Sequence, residues 1–227
     1  MRIEGPAELD SLDFEKGNGL LPVVAQHAHT GEILMLAYAN REALERTLND
    51  RMMWYWSRSR DRLWRKGEES GNVQILVSLH GDCDGDAVVG LALPAGPTCH
   101  TGEWSCFAAT PTLPALDTVL ASRAATAGSG SITGGRSDGV GYTQRLLNDT
   151  NLRLKKLGEE AVELALACER GDRQRVAEEA ADLLYHMLVA CRAADVTLAD
   201  VLAVLSARRG VSAGAASPAG GDTTSIR

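Results

Sequence analysis

Residues 82–86 read D-C-D-G-D, three carboxylates and a thiol within five positions. Carboxylate oxygens ligate Mg2+ or Ca2+ and thiolates ligate zinc, so this pentapeptide could serve two kinds of metal. In an extended strand, alternate side chains face opposite sides, which would set Asp82, Asp84 and Asp86 against one face and Cys83 against the other. An EF-hand is excluded, because the twelfth position counted from Asp82 is Leu93 instead of a bidentate Glu. A solvated acidic turn is the plain alternative.

The stretch "CHTGEWSC" supplies Cys99 and Cys106, sixteen and twenty-three residues after Cys83. Three cysteines are one short of a structural zinc site. Three protein ligands with water in the fourth position is instead the catalytic arrangement, in which the water becomes a nucleophile near neutral pH. His100 could be a fourth ligand or a proton-transfer group. Unrelated buried thiols are the alternative, weakened because these cysteines sit in loops without an apolar stripe. Between the two motifs lies "YWSRSRDRLWRKGEESGN", where Trp56 and Trp64 interleave with Arg58, Arg60, Arg62, Arg65 and Lys66. That pattern suits a phosphate and a purine-like base, and equally a charged, solvated strand and loop.

A second constellation is purely acidic. Glu160 and Glu163 are one helical turn apart, as are Glu179 and Asp182. If the chain reverses at Gly171, Glu163 and Glu179 each lie eight residues from the turn, and Glu160 and Asp182 each lie eleven. The pairs are then level across an antiparallel hairpin and would repel unless they ligate divalent cations, most plausibly Mg2+ holding a polyphosphate. A solvated acidic face is the ordinary reading of Glu-rich helices, and Glu159 and Glu178 are assigned to it. Lys155 and Lys156 lie one turn before Glu160, as phosphate contacts or solvated charges. Cys168 and Cys191 fall on apolar stripes and are expected in the core, while His186 is open between helix packing and a polar network.

The elements that must position these groups are legible in outline. Residues 20–38 read as two strands about a turn at Thr30–Gly31, followed by a helix capped by Asn40 with Ala43, Leu44, Thr47 and Leu48 as its stripe. Apolar runs at 52–56, 73–79 and 87–93 have strand length. From residue 113 the period becomes helical: Leu113, Leu116, Val119 and Leu120 recur at helical spacing. A Gly/Ser loop spans 127–141, two long helical stretches flank Gly171–Asp172, and a last helix follows an N-cap at Thr197. The expected class is multidomain: a mainly β (α+β) domain over 1–107, a linker at 108–112, an all-α helix bundle over 113–210, and a disordered tail over 211–227.

Composition narrows the function. The 227 residues exceed the usual single domain of roughly 100–150. Aromatics are 4% of the chain, so aliphatic side chains must fill the cores. A net charge of -7 argues against general nucleic-acid or membrane-surface binding. No run approaches the ~18 apolar residues of a membrane span, and the start "MRIEGPAELD" lacks a signal-peptide pattern, which points to the cytoplasm. Five cysteines, an odd number, read as thiols or metal ligands before disulfides.

The blocks "YWSRSRDRLWRKGEESGN", "DCDGD" and "CHTGEWSCF", in order over about Phe14 to Phe107, resemble the phosphoribosyl-AMP cyclohydrolase family. The resemblance implies Zn2+ held by Cys83, Cys99 and Cys106 drawn from two subunits of a homodimer, and Mg2+ at Asp82, Asp84 and Asp86. It further implies catalytic work by His100 and substrate contacts from Trp56, Arg58, Arg60, Trp64, Lys66 and Ser70. The implied reaction is attack of zinc-bound hydroxide on C6 of an N1-substituted adenine, opening the N1–C6 bond. Asn72 stands where many members have His, and Glu69 where many have Thr. "YTQRLLND", "KKLGEEAVELALA", "EEAADLLYHMLV" and "DVLAVLSAR", over about 113–210, resemble the phosphoribosyl-ATP pyrophosphatases. That implies Mg2+ at Glu160, Glu163, Glu179 and Asp182, Lys156 on the substrate, and cleavage of the α–β phosphate bond. The product of the second reaction is the substrate of the first, so the two resemblances together imply steps two and three of histidine biosynthesis on phosphoribosyl-nucleotide substrates. A general nucleoside-triphosphate pyrophosphatase with a structural zinc module, and a zinc-stapled oligomerisation scaffold, are the opposing readings.

Overall fold

The computed structural model describes residues 1–127 and 141–208. The expected Gly/Ser loop, apart from its end residues, and the expected tail lie outside the described residues. The chain divides into two compact units, one built on Met1–Ala109 and the other on Thr110–Val204.

The first unit opens with β1 (Arg2–Ile3) and a 3-10 turn over Pro6–Ser11, then forms β2 (Leu21–His27) and β3 (Ile33–Ala39). It continues through α1 (Arg41–Asp50), β4 (Trp54–Ser57), β5 (Arg62–Arg65), β6 (Gln74–Gly81) and β7 (Val88–Pro94). The seven strands form one sheet in the order β1-β6-β7-β2-β3-β4-β5. All pairings are antiparallel except β2 with β7. In β2, buried Leu21, Val23, Ala25 and His27 alternate with half-buried neighbours, the period-2 pattern of a strand with one face in the core. The sheet curls far enough that Met52 bridges Ile75 and the Met53 amide donates to the Gln74 carbonyl at 2.9 Å.

The expected hairpin and the helix after it are both present. The Asn40 carboxamide oxygen accepts from the Ala43 amide at 2.9 Å, so a side chain satisfies one of the free donors at the start of α1. Ala43, Leu44, Thr47 and Leu48 form its buried stripe, the two leucines contributing roughly 1.5–3 kcal/mol each by leaving water. Arg51 in the left-handed region ends the helix.

The second unit is helical: α2 (Thr112–Ala127), α3 (Tyr142–Asn148), α4 (Thr150–Arg170), α5 (Arg173–Arg192) and the start of α6 (Leu198–Arg208). The stretch read from the sequence as one helix breaks at Asp149, whose backbone leaves the helical region while its carboxylate accepts from the Leu152 amide at 3.0 Å. The chain reverses at Gly171, where φ of +69° closes α4, and Asp172 caps α5 by accepting from Gln174 and Arg175. Thr197 and Asp200 cap α6 reciprocally: the Asp200 amide donates to Thr197 Oγ1 at 3.1 Å and the Thr197 amide to Asp200 Oδ2 at 2.8 Å. Leu120, Leu146, Leu188, Val189 and Leu198 make the core. Cys168 is a correction: it is exposed, and Cys191 is only half-buried. Val119, on the expected apolar stripe of α2, is 45% exposed.

Candidate functional sites

In the first unit the β4–β5 hairpin and two loops line a groove of about 830 Å³. Trp56, Arg58, Arg60, Trp64, Lys66, Ser70, Cys99, His100 and Cys106 all line it. Tyr38 pairs with Trp56 across β3 and β4, and the Arg58 guanidinium lies 3.8 Å over the Tyr38 ring. The sequence reading missed Tyr38, whose only local signal was an aromatic ring in a strand. Arg60 and Arg62 reach Glu69 at 3.8 Å and Glu68 at 3.0 Å, so the second loop folds back on the hairpin. Burial holds the Lys66 ammonium below its usual pKa, with Cys106 and then Cys99 opposing the shift.

The loop carrying Cys99 and Cys106 is fixed at both ends. The Thr98 amide donates to the Trp104 carbonyl at 3.1 Å and the Cys99 amide to the Glu103 carbonyl at 2.9 Å, with Gly102 at φ of +88° making the turn. The Cys106 amide then donates to the Leu34 carbonyl at 2.8 Å and Ser105 Oγ to the Ile33 carbonyl at 2.7 Å, docking the loop on β3. The two thiols interact, and Thr101 Oγ1 donates to Cys99 Sγ at 3.1 Å, which with the neighbouring amides lowers the Cys99 pKa. Burial, then the neighbouring Cys99, raises that of Cys106. His100 Nδ1 is 3.8 Å from Cys99 Sγ.

The D-C-D-G-D segment corrects an expectation. It is a bend between β6 and β7 rather than a strand, with Gly85 at φ of +76°. A Cβ on Gly85 would lie 2.8 Å from the Ser11 carbonyl oxygen, so a side chain there is doubly disfavoured. Strand alternation therefore does not orient the aspartates; the turn does, bringing ligand atoms of Asp82, Asp84 and Asp86 within 4.8 Å of one another. The Lys16 ammonium, which the sequence reading missed, sits on Asp84 at 3.0 Å and also pairs with Asp86. Hydrogen bonding to Lys16 lowers the Asp84 pKa, and the two aspartates raise that of Lys16. Cys83 is exposed beside Asp84. It precedes β7, whereas Cys99 follows it, and the seven residues of that strand span roughly 20 Å. One chain thus brings Cys99 and Cys106 to the same groove, and Cys83 is not among the residues that line it.

In the second unit Glu160, Glu179 and Asp182 converge, their ligand atoms within 4.8 Å of one another. Glu163 is exposed and stands outside this trio, yet close enough to Glu179 to act on it. Arg175 pairs with Glu179 Oε1, while Glu179 Oε2 is buried with no hydrogen-bond partner among the described residues. Burial raises the Glu179 pKa, Arg175 opposes this, and Glu163 and Glu160 add to it. Lys156 reaches Glu160 at 2.9 Å and Glu159 at 3.2 Å, and Lys155 reaches Glu159 at 3.4 Å.

His186 belongs to a polar network. The Asp182 carbonyl can only accept, so His186 Nδ1 donates to it at 2.9 Å, and Nε2 accepts from the Tyr142 hydroxyl at 3.0 Å. Thr143 bonds Tyr185 at 2.8 Å, and Arg123 donates to Thr143. Tyr142 and Tyr185 were missed: their partners lie more than forty residues away, beyond any local pattern.

Two family models match the two units separately, phosphoribosyl-AMP cyclohydrolase over residues 35–108 and phosphoribosyl-ATP pyrophosphohydrolase over 137–209. The histidine biosynthesis bifunctional protein HisIE of Xylella fastidiosa (strain Temecula1) is 45% identical over 203 residues, covering 88% of this chain and 94% of the relative. The HisIE proteins of Escherichia coli O6:H1 and Bacillus subtilis (strain 168) are 43% and 41% identical, covering 87% and 88% of this chain and 95% and 96% of those relatives. The chain belongs to the HisIE family. It is a bifunctional hydrolase of histidine biosynthesis, its strand-rich region matching the cyclohydrolase and its helical region the pyrophosphohydrolase. No described helix is long and apolar enough to cross a membrane.

Proposed function

We propose that the chain, as a cytoplasmic homodimer or higher homo-oligomer, hydrolyses phosphoribosyl-ATP to phosphoribosyl-AMP and pyrophosphate in the helical unit. It then adds water across the N1–C6 bond of phosphoribosyl-AMP in the strand-rich unit, giving the ring-opened formimino-aminoimidazole carboxamide ribotide. The observation that carries this reading is that each unit holds its own cluster of metal-capable side chains and matches its own family model; the order follows because the product of the first reaction is the substrate of the second.

In the ring-opening groove, Cys99 and Cys106 offer two thiols to a soft cation, and the third ligand would be Cys83 of a second copy, since Cys83 of the same chain does not line the groove. Zinc, when bound, supplies a water acidic enough to attack at neutral pH. The Trp56 and Trp64 rings hold the purine, Arg58, Arg60, Lys66 and Ser70 hold phosphate and ribose, and His100 moves the proton. The aspartate bend suits Mg2+: Lys16 places a cationic nitrogen against two of its three carboxylates, as an ion would be placed.

In the helical unit, the buried and unpartnered Glu179 Oε2 fits a divalent cation, because an uncompensated buried carboxylate oxygen costs free energy that a metal would offset. Glu160, Glu179 and Asp182, with Glu163 beside them, would hold Mg2+, which would neutralise polyphosphate charge, and Lys156 contacts the phosphate oxygens. Water attacks the α-phosphorus, the α–β bridging bond breaks, and pyrophosphate leaves.

Phosphoribosyl-ATP with Mg2+ and Zn2+ is expected to yield pyrophosphate first and the ring-opened absorbance second. Cys99→Ser stops only ring opening; Glu160→Gln stops pyrophosphate release, and still opens the ring when phosphoribosyl-AMP is supplied directly; retention of both activities in both variants would refute these sites. Cys83→Ser and Cys99→Ser proteins, each inactive in ring opening, regain it when refolded together, because a hybrid dimer contains one intact site. No recovery would rule out ligation across subunits.

A further inference from the structure

The Cys99–Cys106 loop stands on a buried polar chain that runs from the groove wall at Thr98 into the core. Gln74, at the start of β6, is fully buried, an expensive place for a carboxamide unless both its ends are bonded. Both are. The Tyr55 hydroxyl, itself fully buried, donates to Gln74 Oε1 at 3.0 Å, and Gln74 Nε2 donates to Thr98 Oγ1 at 3.3 Å. Thr98 is 4% exposed and immediately precedes Cys99.

The chain links elements that the sheet order holds apart. Tyr55 is on β4 and Gln74 on β6, with β7, β2 and β3 between them in the sheet. The bonds therefore cross the interior of the curled sheet, where Met53 also donates to the Gln74 carbonyl. At its far end the chain meets the loop's own bonds, Thr98 to Trp104 and Cys99 to Glu103. A fully bonded buried chain of this kind specifies one arrangement of the groups it joins, so it fixes the placement of the loop. Burial raises the Tyr55 pKa and an amide does not titrate, so the chain keeps one protonation state across the working pH range.

We infer that Tyr55, Gln74 and Thr98 are positioning residues for the cyclohydrolase: they set the height of Cys99 above the core, and through it the spacing of Cys99 and Cys106. This rests on the proposed zinc site. Polar groups that orient metal ligands in this way typically carry about 10- to 100-fold of metal affinity or activity.

The test uses the full-length protein, with pyrophosphate release as an internal measure of folding. Thr98→Val keeps the shape and removes the hydroxyl; Thr98→Ser keeps the hydroxyl. The expected result is a Zn2+ Kd, read by chelator competition, and a ring-opening kcat each worsened by about 10- to 100-fold in Thr98→Val. KM and pyrophosphate release stay within about twofold, and Thr98→Ser behaves as the parent. Tyr55→Phe, which leaves Thr98 untouched, is expected to shift Zn2+ affinity in the same direction and serves if Thr98→Val does not fold. Unchanged Zn2+ affinity and kcat in Thr98→Val and Tyr55→Phe would overturn the inference while leaving the zinc site standing. A parent protein that binds no Zn2+ at Cys99 would remove the site and the inference together.

Discussion

Lys16 Nζ lies 3.0 Å from Asp84 Oδ2 and also pairs with Asp86, so the aspartate bend carries its own resident cation. An ammonium and a divalent ion cannot share those oxygens. Lys16→Met is therefore expected to tighten Mn2+ or Mg2+ binding at the bend by about three- to tenfold, since a competing unit charge is removed at contact distance. Titration calorimetry on the parent and the variant checks this; equal or weaker binding in Lys16→Met would show that Lys16 supports the ion instead of competing with it.

Glu179 predicts a conflict between stability and activity. Its carboxylate is buried, has one oxygen unpartnered, and has a raised pKa because of that burial. Glu179→Gln removes the charge and adds two donors, so the metal-free melting temperature is expected to rise while pyrophosphate release falls by at least about 100-fold. The upward thermal shift that Mg2+ gives the parent disappears in the variant. A variant that melts lower than the metal-free parent would show that Arg175 already compensates the charge.

How far the sequence foretold these sites depends on how local each determinant is. Asn40, Gly171, Asp172 and Thr197 act within one helical turn, and each terminates or starts its helix where its residue type requires. The equal distances of Glu160 and Asp182 from Gly171 likewise anticipated their convergence, because an antiparallel hairpin converts spacing into height. The arrangement of D-C-D-G-D was not legible: alternation assumes an extended chain, and the left-handed Gly85 bends it. Nor was the break at Asp149, since the apolar period runs through it and only the capping carboxylate marks the boundary. Tyr142 on His186, Lys16 on Asp84 and Gln74 on Thr98 join residues 44, 68 and 24 positions apart, which the fold alone brings together.

His27 gives a pH dependence of defined sign. It is 6% exposed at the end of β2, its Nδ1 accepts from the His29 and Thr30 amides, and it packs on Trp104, with His29 as a neighbouring titratable ring. Burial, and secondarily His29, lowers its pKa from 6.5 to about 4. Between those values the unfolded chain binds a proton that the folded one refuses, so stability is full above pH 6.5 and declines as the pH falls toward 4. His27→Gln is expected to flatten that part of the stability profile, measured by urea unfolding at several pH values. An imidazole NMR titration placing His27 near 6.5 would contradict the burial argument.

Gly96 and Asn72 test whether the two loops of the groove act as one piece. Asn72 Nδ2 donates to the Pro97 carbonyl at 3.0 Å, strapping the Lys66–Asn72 loop to the turn that leads into Cys99. A Cβ on Gly96 would come within 2.6 Å of Asn72 Oδ1, so Gly96→Ala must push the carboxamide aside and break the strap. Displacing a reactive constellation by an ångström is worth about 10- to 100-fold in rate, so ring opening is expected to fall by that order in Gly96→Ala, with pyrophosphate release as the unaffected control. Asn72→Ala loses the same bond by another route. The double variant is then no slower than the slower single variant, because the strap can be lost only once. Rate losses that multiply in the double variant would mean that Gly96 and Asn72 act separately, and that the backbone at Gly96, rather than the carboxamide packed against it, holds the approach to Cys99.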